Sequence, residues 1–254
     1  MPQLSWLDAE QDVCFPPTDQ GLVNPPGLLA AGGSLTPDWL LTAYERGIFP
    51  WYSEGEPILW WSPEPRMVLI PGDMHVSRSL RKAFRHEPVR ITLNTAFAEV
   101  IAACQAPRAK QPGTWISSEM REAYTELHQL GWAHSIEVWR KNVLVGGLYG
   151  IGIEGVFYGE SMFSRHTNGS KFALLALQEA ALMQSLRLID CQVYNDHLAS
   201  LGAREVERPW FEQQLPRQRR KLSLPEASAL NQALVRRLQT SVPKTNTTTI
   251  PGTR

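Results

Sequence analysis

Gly159-Glu160-Ser161-Met162-Phe163-Ser164-Arg165 and Ile189-Asp190-Cys191-Gln192-Val193-Tyr194-Asn195-Asp196-His197 read as two strands separated by a strongly apolar helix, Ser170 to Leu186. Strand, crossover helix and strand is the order that sets two parallel strands in one sheet. Alternate side chains of a strand share a face. Asp190 and Gln192 are therefore expected to project together, with Cys191 and Val193 turned into the core. A carboxylate beside a carboxamide on a central strand is costly to bury without partners. That cost points to a functional role for the pair.

His134 to Arg140, Val143 to Ile151 and Val156 to Phe163 are three successive strands joined by the turns Lys141-Asn142 and Gly152 to Gly155. Met67 to Ile70 and Arg90 to Leu93 are strand-like, while Ala96 to Cys104 and Glu119 to Leu130 read as helices, the second stopped by Gly131. Ser77 caps a helix running to about Arg85, and Asp196 to Leu201 is a short helix ending at Gly202. Residues 14–65 are dense in Pro, Gly and Trp. Within them Thr36 as N-cap, Pro37 at the first position and Gly47 past the end mark one helix. Trp60-Trp61-Ser62-Pro63-Glu64-Pro65 reads as an extended edge leading into a linker. The expected class is α+β, with a small N-terminal domain over 1–65, a mixed-sheet domain over 66–240 and a disordered tail over 241–254.

The 25 Lys and Arg balance the 25 Asp and Glu, so net charge points to no polyanion. The distribution is uneven. Residues 1–64 hold acidic side chains against Arg46 alone, and residues 75–110 hold seven cations against Glu87 and Glu99. Cys14, Cys104 and Cys191 show neither paired nor metal-ligand spacing, and no signal peptide is evident. That suits a reducing cytosol. Phe172 to Met183 is interrupted by Gln178 and Glu179, so no membrane span is expected. The expectation is a cytoplasmic monomer.

The strand order, with Asn195-x-x-Leu198-x-x-Leu201-Gly202-Ala203, loosely resembles the GNAT (N-acetyltransferase) superfamily. Acetyltransferases of that superfamily hold CoA pyrophosphate on an Arg/Gln-x-x-Gly-x-Gly/Ala turn that feeds a helix N-terminus. Here the turn is Arg165-His166-Thr167-Asn168-Gly169-Ser170, with Asn168 in place of the first glycine and Ser170 in place of the last small residue. The cradle is degenerate for CoA. Gly159 to Phe163 lacks the second glycine of a nucleophile elbow, and the six histidines are scattered without metal spacing. An inward cysteine in apolar surroundings is inert. Neither a metal nor a cofactor is expected.

Arg78, Arg81, Lys82 and Arg85 share one helical stripe, opposite Val76, Leu80, Ala83 and Phe84. Such a stripe is either a solvated face or a surface that tracks phosphates. Trp51, Trp60, Trp61 and Trp115 lie in loop-like or edge contexts. Aromatic faces there stack unpaired bases, and the alternative for each is core packing.

Seven blocks in order resemble one family: Phe49-Pro50-Trp51, Ile58 to Pro63, Gly113 to Ile116, His134 to Trp139, Gly146 to Gly150, Gly159 to Arg165 and Ile189 to His197. They are similar to leucyl/phenylalanyl-tRNA–protein transferase over roughly residues 15 to 210. The resemblance implies a small N-terminal domain, a GNAT-like C-terminal domain, and transfer of Leu or Phe (Met less well) from aminoacyl-tRNA. The acceptor would be a protein with N-terminal Arg or Lys, marked thereby for N-degron degradation. A CoA-dependent N-acyltransferase and a non-catalytic tRNA- or degron-binding module are the alternatives.

By motif, the resemblance assigns Asp190, Gln192 and Glu160 to the catalytic centre. It assigns Leu148, Phe157 and Leu177 to the donor side-chain pocket, and Trp51 and Trp115 to the terminal adenosine. Leu148 stands where the family has Met and Leu177 where it has Phe. The stripe Arg78, Arg81, Lys82 and Arg85 becomes a candidate contact for the tRNA acceptor stem. An α-amine has a pKa of about 7.7–8.0, so on the order of a tenth is neutral at pH 7, and a Gln is no base. Gln192 is thus read as the positioner of the amine and Asp190 as its orienting partner. Phe157 and Glu160 share a face only if Gly159 makes a β-bulge, which is expected.

Overall fold

A computed structural model describes residues 4–106 and 116–239. The N-terminal stretch forms β1 (Ser5–Leu7), β2 (Leu28–Gly32), α1 (Pro37–Glu45), β3 (Phe49–Pro50) and β4 (Leu59–Trp61). There follow β5 (Arg66–Leu69), α2 (Arg78–His86), β6 (Val89–Leu93), α3 (Phe97–Gln105), α4 (Ser118–Gln129), β7 (Ala133–Arg140), β8 (Val143–Ile153) and β9 (Val156–Ser164). The chain closes with α5 (Gly169–Met183), β10 (Leu188–Gln192), α6 (Asp196–Ser200), β11 (Arg204–Val206), α7 (Arg208–Gln214) and α8 (Ala227–Gln239). Trp115 and the expected tail over 241–254 lie outside the described residues.

Two sheets result, a four-stranded one ordered β1-β2-β4-β3 and a seven-stranded one ordered β11-β5-β10-β9-β8-β7-β6. In the larger sheet β6 to β9 are antiparallel, β10 runs parallel to β9, and β5 closes against β10 antiparallel. The class is α+β. The crossover helix α5 packs directly on β8: a Cβ at Gly146 would lie 2.4 Å from the Gly169 carbonyl carbon, so the approach requires glycine. Asn168, at φ +67°, turns the chain into that helix.

One face of the large sheet packs on α5 and α8 through Phe172, Leu175, Ile189, Leu230 and Leu234. The other face packs on α3, α4 and the small sheet, in a cluster that runs from Leu40 and Trp60 through Tyr124 to Tyr149 and Tyr158. The core is therefore continuous across the junction between Trp61 and Arg66. Arg219 adds a polar tie there, donating to Asp38, Glu45 and Thr42 of α1.

Two local expectations are corrected. Trp60-Trp61 is no edge, because β4 lies between β2 and β3, and Trp60 is fully buried against Phe15 and Trp39. Val193 does not enter the core; it is 38% exposed. The cause is a register break between Asp190 and Gln192, with Gln192 at φ +65°, which ends the alternation at that point. Strands β1, β2 and β11 and helices α7 and α8 add elements that the sequence pattern had not marked.

Candidate active site

Strands β9 and β10 pair only from Val156↔Leu188 to Tyr158↔Asp190. Beyond that point β9 bulges, so that Gly150 faces Gly159 while Tyr149 faces Ser161, and Glu160 is the extra residue. The bulge expected at Gly159 is present. At the same level β10 has its own irregularity at Gln192. Two bulges on adjacent parallel strands turn the pair into a fork. Gly159, with no side chain to fill the gap, lines the opening together with Cys191 and Gln192.

The fork holds a cavity of about 250 Å³. Its apolar wall is Leu148, Met162, Leu174, Leu177 and Ile189, and Trp51, 41% exposed, stands at the rim. Trp61 steadies that rim: its indole N–H donates to the Trp51 carbonyl at 2.6 Å. Its polar side is Glu160, Gln192 and Asn195. Asn195 also caps α6, its Oδ1 accepting from the Leu198 N–H at 3.2 Å.

Asp190 is completely buried, and Arg66 holds it in a two-point ion pair, Nε to Oδ1 at 2.8 Å and Nη2 to Oδ2 at 2.6 Å. The Arg66 guanidinium is itself sandwiched between the rings of Phe49 and Phe211, 4.7 Å from each centroid. Asp190 Oδ1 also accepts the main-chain N–H of Gln192 at 2.9 Å. That bond fixes the left-handed backbone of Gln192, whose Nε2 donates to Glu160 Oε1 at 2.8 Å. Asp190 and Gln192 are thus linked through the main chain rather than by sharing a strand face.

Glu160 meets two hydroxyls, Tyr44 from α1 at 2.8 Å and Tyr124 from α4 at 2.9 Å. Burial pushes its carboxyl up to about 7, helped by the charge on Asp190 and opposed by Tyr44, Tyr124 and Gln192. Burial, with Glu160 alongside, also holds both tyrosine hydroxyls well above their ordinary value, so they are protonated at neutral pH. Burial raises the Cys191 thiol as well, which removes it as a nucleophile. Among the described residues no group of three or more His, Cys, Asp or Glu is placed to hold a metal.

Glu160, Asp190, Gln192, Leu148, Leu177 and Trp51 are therefore gathered at one cavity. Phe157 is not on its wall; it is fully buried in the cluster beneath α5 and abuts Gly150, whereas Glu160 turns to the tyrosine side. The bulge exists, but it does not bring the two side chains onto one face. The α2 stripe is also split. Arg81 and the exposed Arg85 donate to main-chain carbonyls at the end of α8; Arg78 and Lys82 are exposed. Sequence reasoning missed Arg66, Tyr44 and Tyr124, which reach the site from distant parts of the chain.

Residues 68–216 match the family model for leucyl/phenylalanyl-tRNA protein transferase, and residues 33–64 match the model for its N-terminal domain. A leucyl/phenylalanyl-tRNA–protein transferase of Aromatoleum aromaticum is 54% identical over 208 residues, covering 82% of this chain and 87% of that protein. Those of Stutzerimonas stutzeri and Shewanella baltica are 52% and 55% identical, covering 84% and 82% of this chain and 93% and 87% of theirs. Among solved structures, an aminoglycoside acetyltransferase from an uncultured soil metagenomic sample overlaps with TM-score 0.33 and 13% identity, covering 53% of this chain and 92% of that one. The chain belongs to the leucyl/phenylalanyl-tRNA–protein transferase family.

Proposed function

We propose that this protein is an aminoacyltransferase that moves leucine or phenylalanine, and methionine less well, from aminoacyl-tRNA to the N-terminal Arg or Lys of an acceptor protein. The product carries an N-degron, and the enzyme works as a cytoplasmic monomer. The observation that carries the reading is the fork between β9 and β10, where an apolar cavity adjoins the linked residues Arg66, Asp190, Gln192 and Glu160.

The donor side chain occupies the cavity formed by Leu148, Met162, Leu174 and Leu177. The terminal adenosine lies at the rim beside Trp51, with Trp115 its second partner in the family pattern. Attack by the acceptor amine on an activated ester needs no enzyme nucleophile. With Nε2 committed to Glu160, the Gln192 Oε1 atom is the part of the amide left to accept an amine N–H. Asp190 holds that geometry through the Gln192 main chain, and Arg66 occupies both of its oxygens, so Asp190 is an anchor and not the base. Most of the acceleration then comes from proximity, roughly 7–11 kcal/mol in well-oriented systems. Arg78 and Lys82 track acceptor-stem phosphates without reading bases.

The test is radiolabelled Leu-tRNA with a peptide beginning in Arg and no CoA. Label on the peptide is the expected result. Binding of the tRNA without transfer would leave only a binding module, and transfer that required CoA would restore the acetyltransferase reading.

A further inference from the structure

The hydroxyls of Tyr44 and Tyr124 and the carboxyl of Glu160 form a closed triangle. The hydroxyls are 2.5 Å apart, Tyr44 is 2.8 Å from Oε1, and Tyr124 is 2.9 Å from Oε2. Each contact has hydrogen-bond length. A hydroxyl carries one proton and an ionised carboxylate carries none. With Glu160 ionised, three contacts share two protons, and one contact sets lone pair against lone pair. One further proton on Glu160 gives every contact its donor. The ring then runs in one sense, Glu160 to Tyr124, Tyr124 to Tyr44 and Tyr44 back to Glu160, and such rings strengthen cooperatively.

The surroundings favour that uptake. Glu160 is 8% exposed and faces Tyr44 on α1, Tyr124 on α4, Tyr149 on β8 and Asp190 on β10, whose charge is paired with Arg66 on β5. No cation therefore stands unpaired beside it among these groups. The same carboxyl lines the cavity next to Gln192, and Oε2, with Tyr124 as its donor, keeps a lone pair for an arriving proton.

We propose that the Glu160–Tyr44–Tyr124 triangle is the proton acceptor of the transfer reaction. As the amine nitrogen bonds to the ester carbonyl carbon, an N–H bond breaks and its proton passes to Glu160. As the C–O bond to the ribose breaks, the ribose oxygen takes that proton back. The cycle leaves the triangle unchanged and needs no other reactant. This role rests on the aminoacyl-transfer reading above.

Two measurements on the full chain test it. In protein labelled with carboxyl-¹³C glutamate, one carboxyl is expected to titrate near neutral pH. That signal is absent from Glu160→Gln and displaced in Tyr124→Phe, which opens the ring. In steady-state transfer with both substrates saturating, kcat is expected to fall on the acid side with the same midpoint. The midpoint stays in place for two acceptor peptides whose α-amines differ in pKa. In Glu160→Gln the limb disappears and kcat at pH 8 drops at least tenfold, with aminoacyl-tRNA affinity retained. No glutamate titrating between pH 6 and 8, in a wild type that transfers leucine, would overturn the role and leave the reaction standing; this reading does not depend on a variant that folds. A Glu160→Gln enzyme as fast as wild type at every pH would overturn it equally. A wild type that transfers no leucine would overturn the reaction and this role with it.

Discussion

At the scale of single residues, the site depends on a buried ion pair whose loss is asymmetric. Removing Arg66 alone strands the fully buried Asp190 without its partner. Breaking such a pair from one side costs about 3–5 kcal/mol. Arg66→Ala is therefore expected to lower stability by that amount in urea unfolding, whereas a loss under about 1 kcal/mol would mean that Asp190 finds another donor. Glu160 gives a pH signature of its own. Its folded-state value of about 7 lies above the ordinary 4.5, so the folded state binds the proton more tightly. Its contribution is fully present below the unfolded value and is lost as pH rises through about 7. Unfolding free energy measured at pH 5 and pH 8 should show this loss in wild type, and Glu160→Gln should abolish that component. Asp190 and Gln192 were legible because they sit in one short block. Tyr44 and Arg66 were not, since they meet Glu160 and Asp190 across 116 and 124 residues of chain.

At the scale of elements, the fork is the product of two bulges with different legibility. A glycine inside a strand pattern flags the first at Gly159. Nothing in the composition of Leu188–Gln192 flags the second, where a non-glycine residue takes φ +65° because Asp190 and Glu160 hold its main chain and side chain. Helix α2 shows the same limit. Its caps and apolar side were readable, and Ser77 does accept from the Leu80 N–H at 3.1 Å. That two of its four cations cap α8 depends on a helix more than a hundred residues downstream. The four cations should therefore divide by measurement. Arg78→Ala and Lys82→Ala should each reduce the slope of log affinity for tRNA against log salt by about 0.7–0.9. Arg81→Ala and Arg85→Ala should instead lower thermal stability, by about 1 kcal/mol each from lost contacts to helix-end carbonyls. Equal salt slopes for all four variants would show that the capping contacts do not hold in solution.

At the scale of the whole molecule, the two sheets share one apolar cluster, α1 delivers Tyr44 to a carboxylate on β9, and Arg219 ties α1 to the segment after α7. The sequence pattern located the change of sheet near residue 65 but could not reveal this shared core, because its buried side chains come from both sides of that boundary. Thermal unfolding followed by near-ultraviolet and far-ultraviolet signals should accordingly give one coincident transition; an early step confined to tryptophan signals would mean that the small sheet unfolds by itself. The fork opens beside that shared core, and Gln192 is the positioner within it. The most direct measurement is single-turnover transfer from Leu-tRNA to an Arg-terminated peptide, comparing wild type with Gln192→Ala at saturating substrates. The predicted result is a rate lower by about 10²-fold, the size expected for a misplaced nucleophile, with tRNA affinity unchanged. A Gln192→Ala rate close to that of wild type would contradict it.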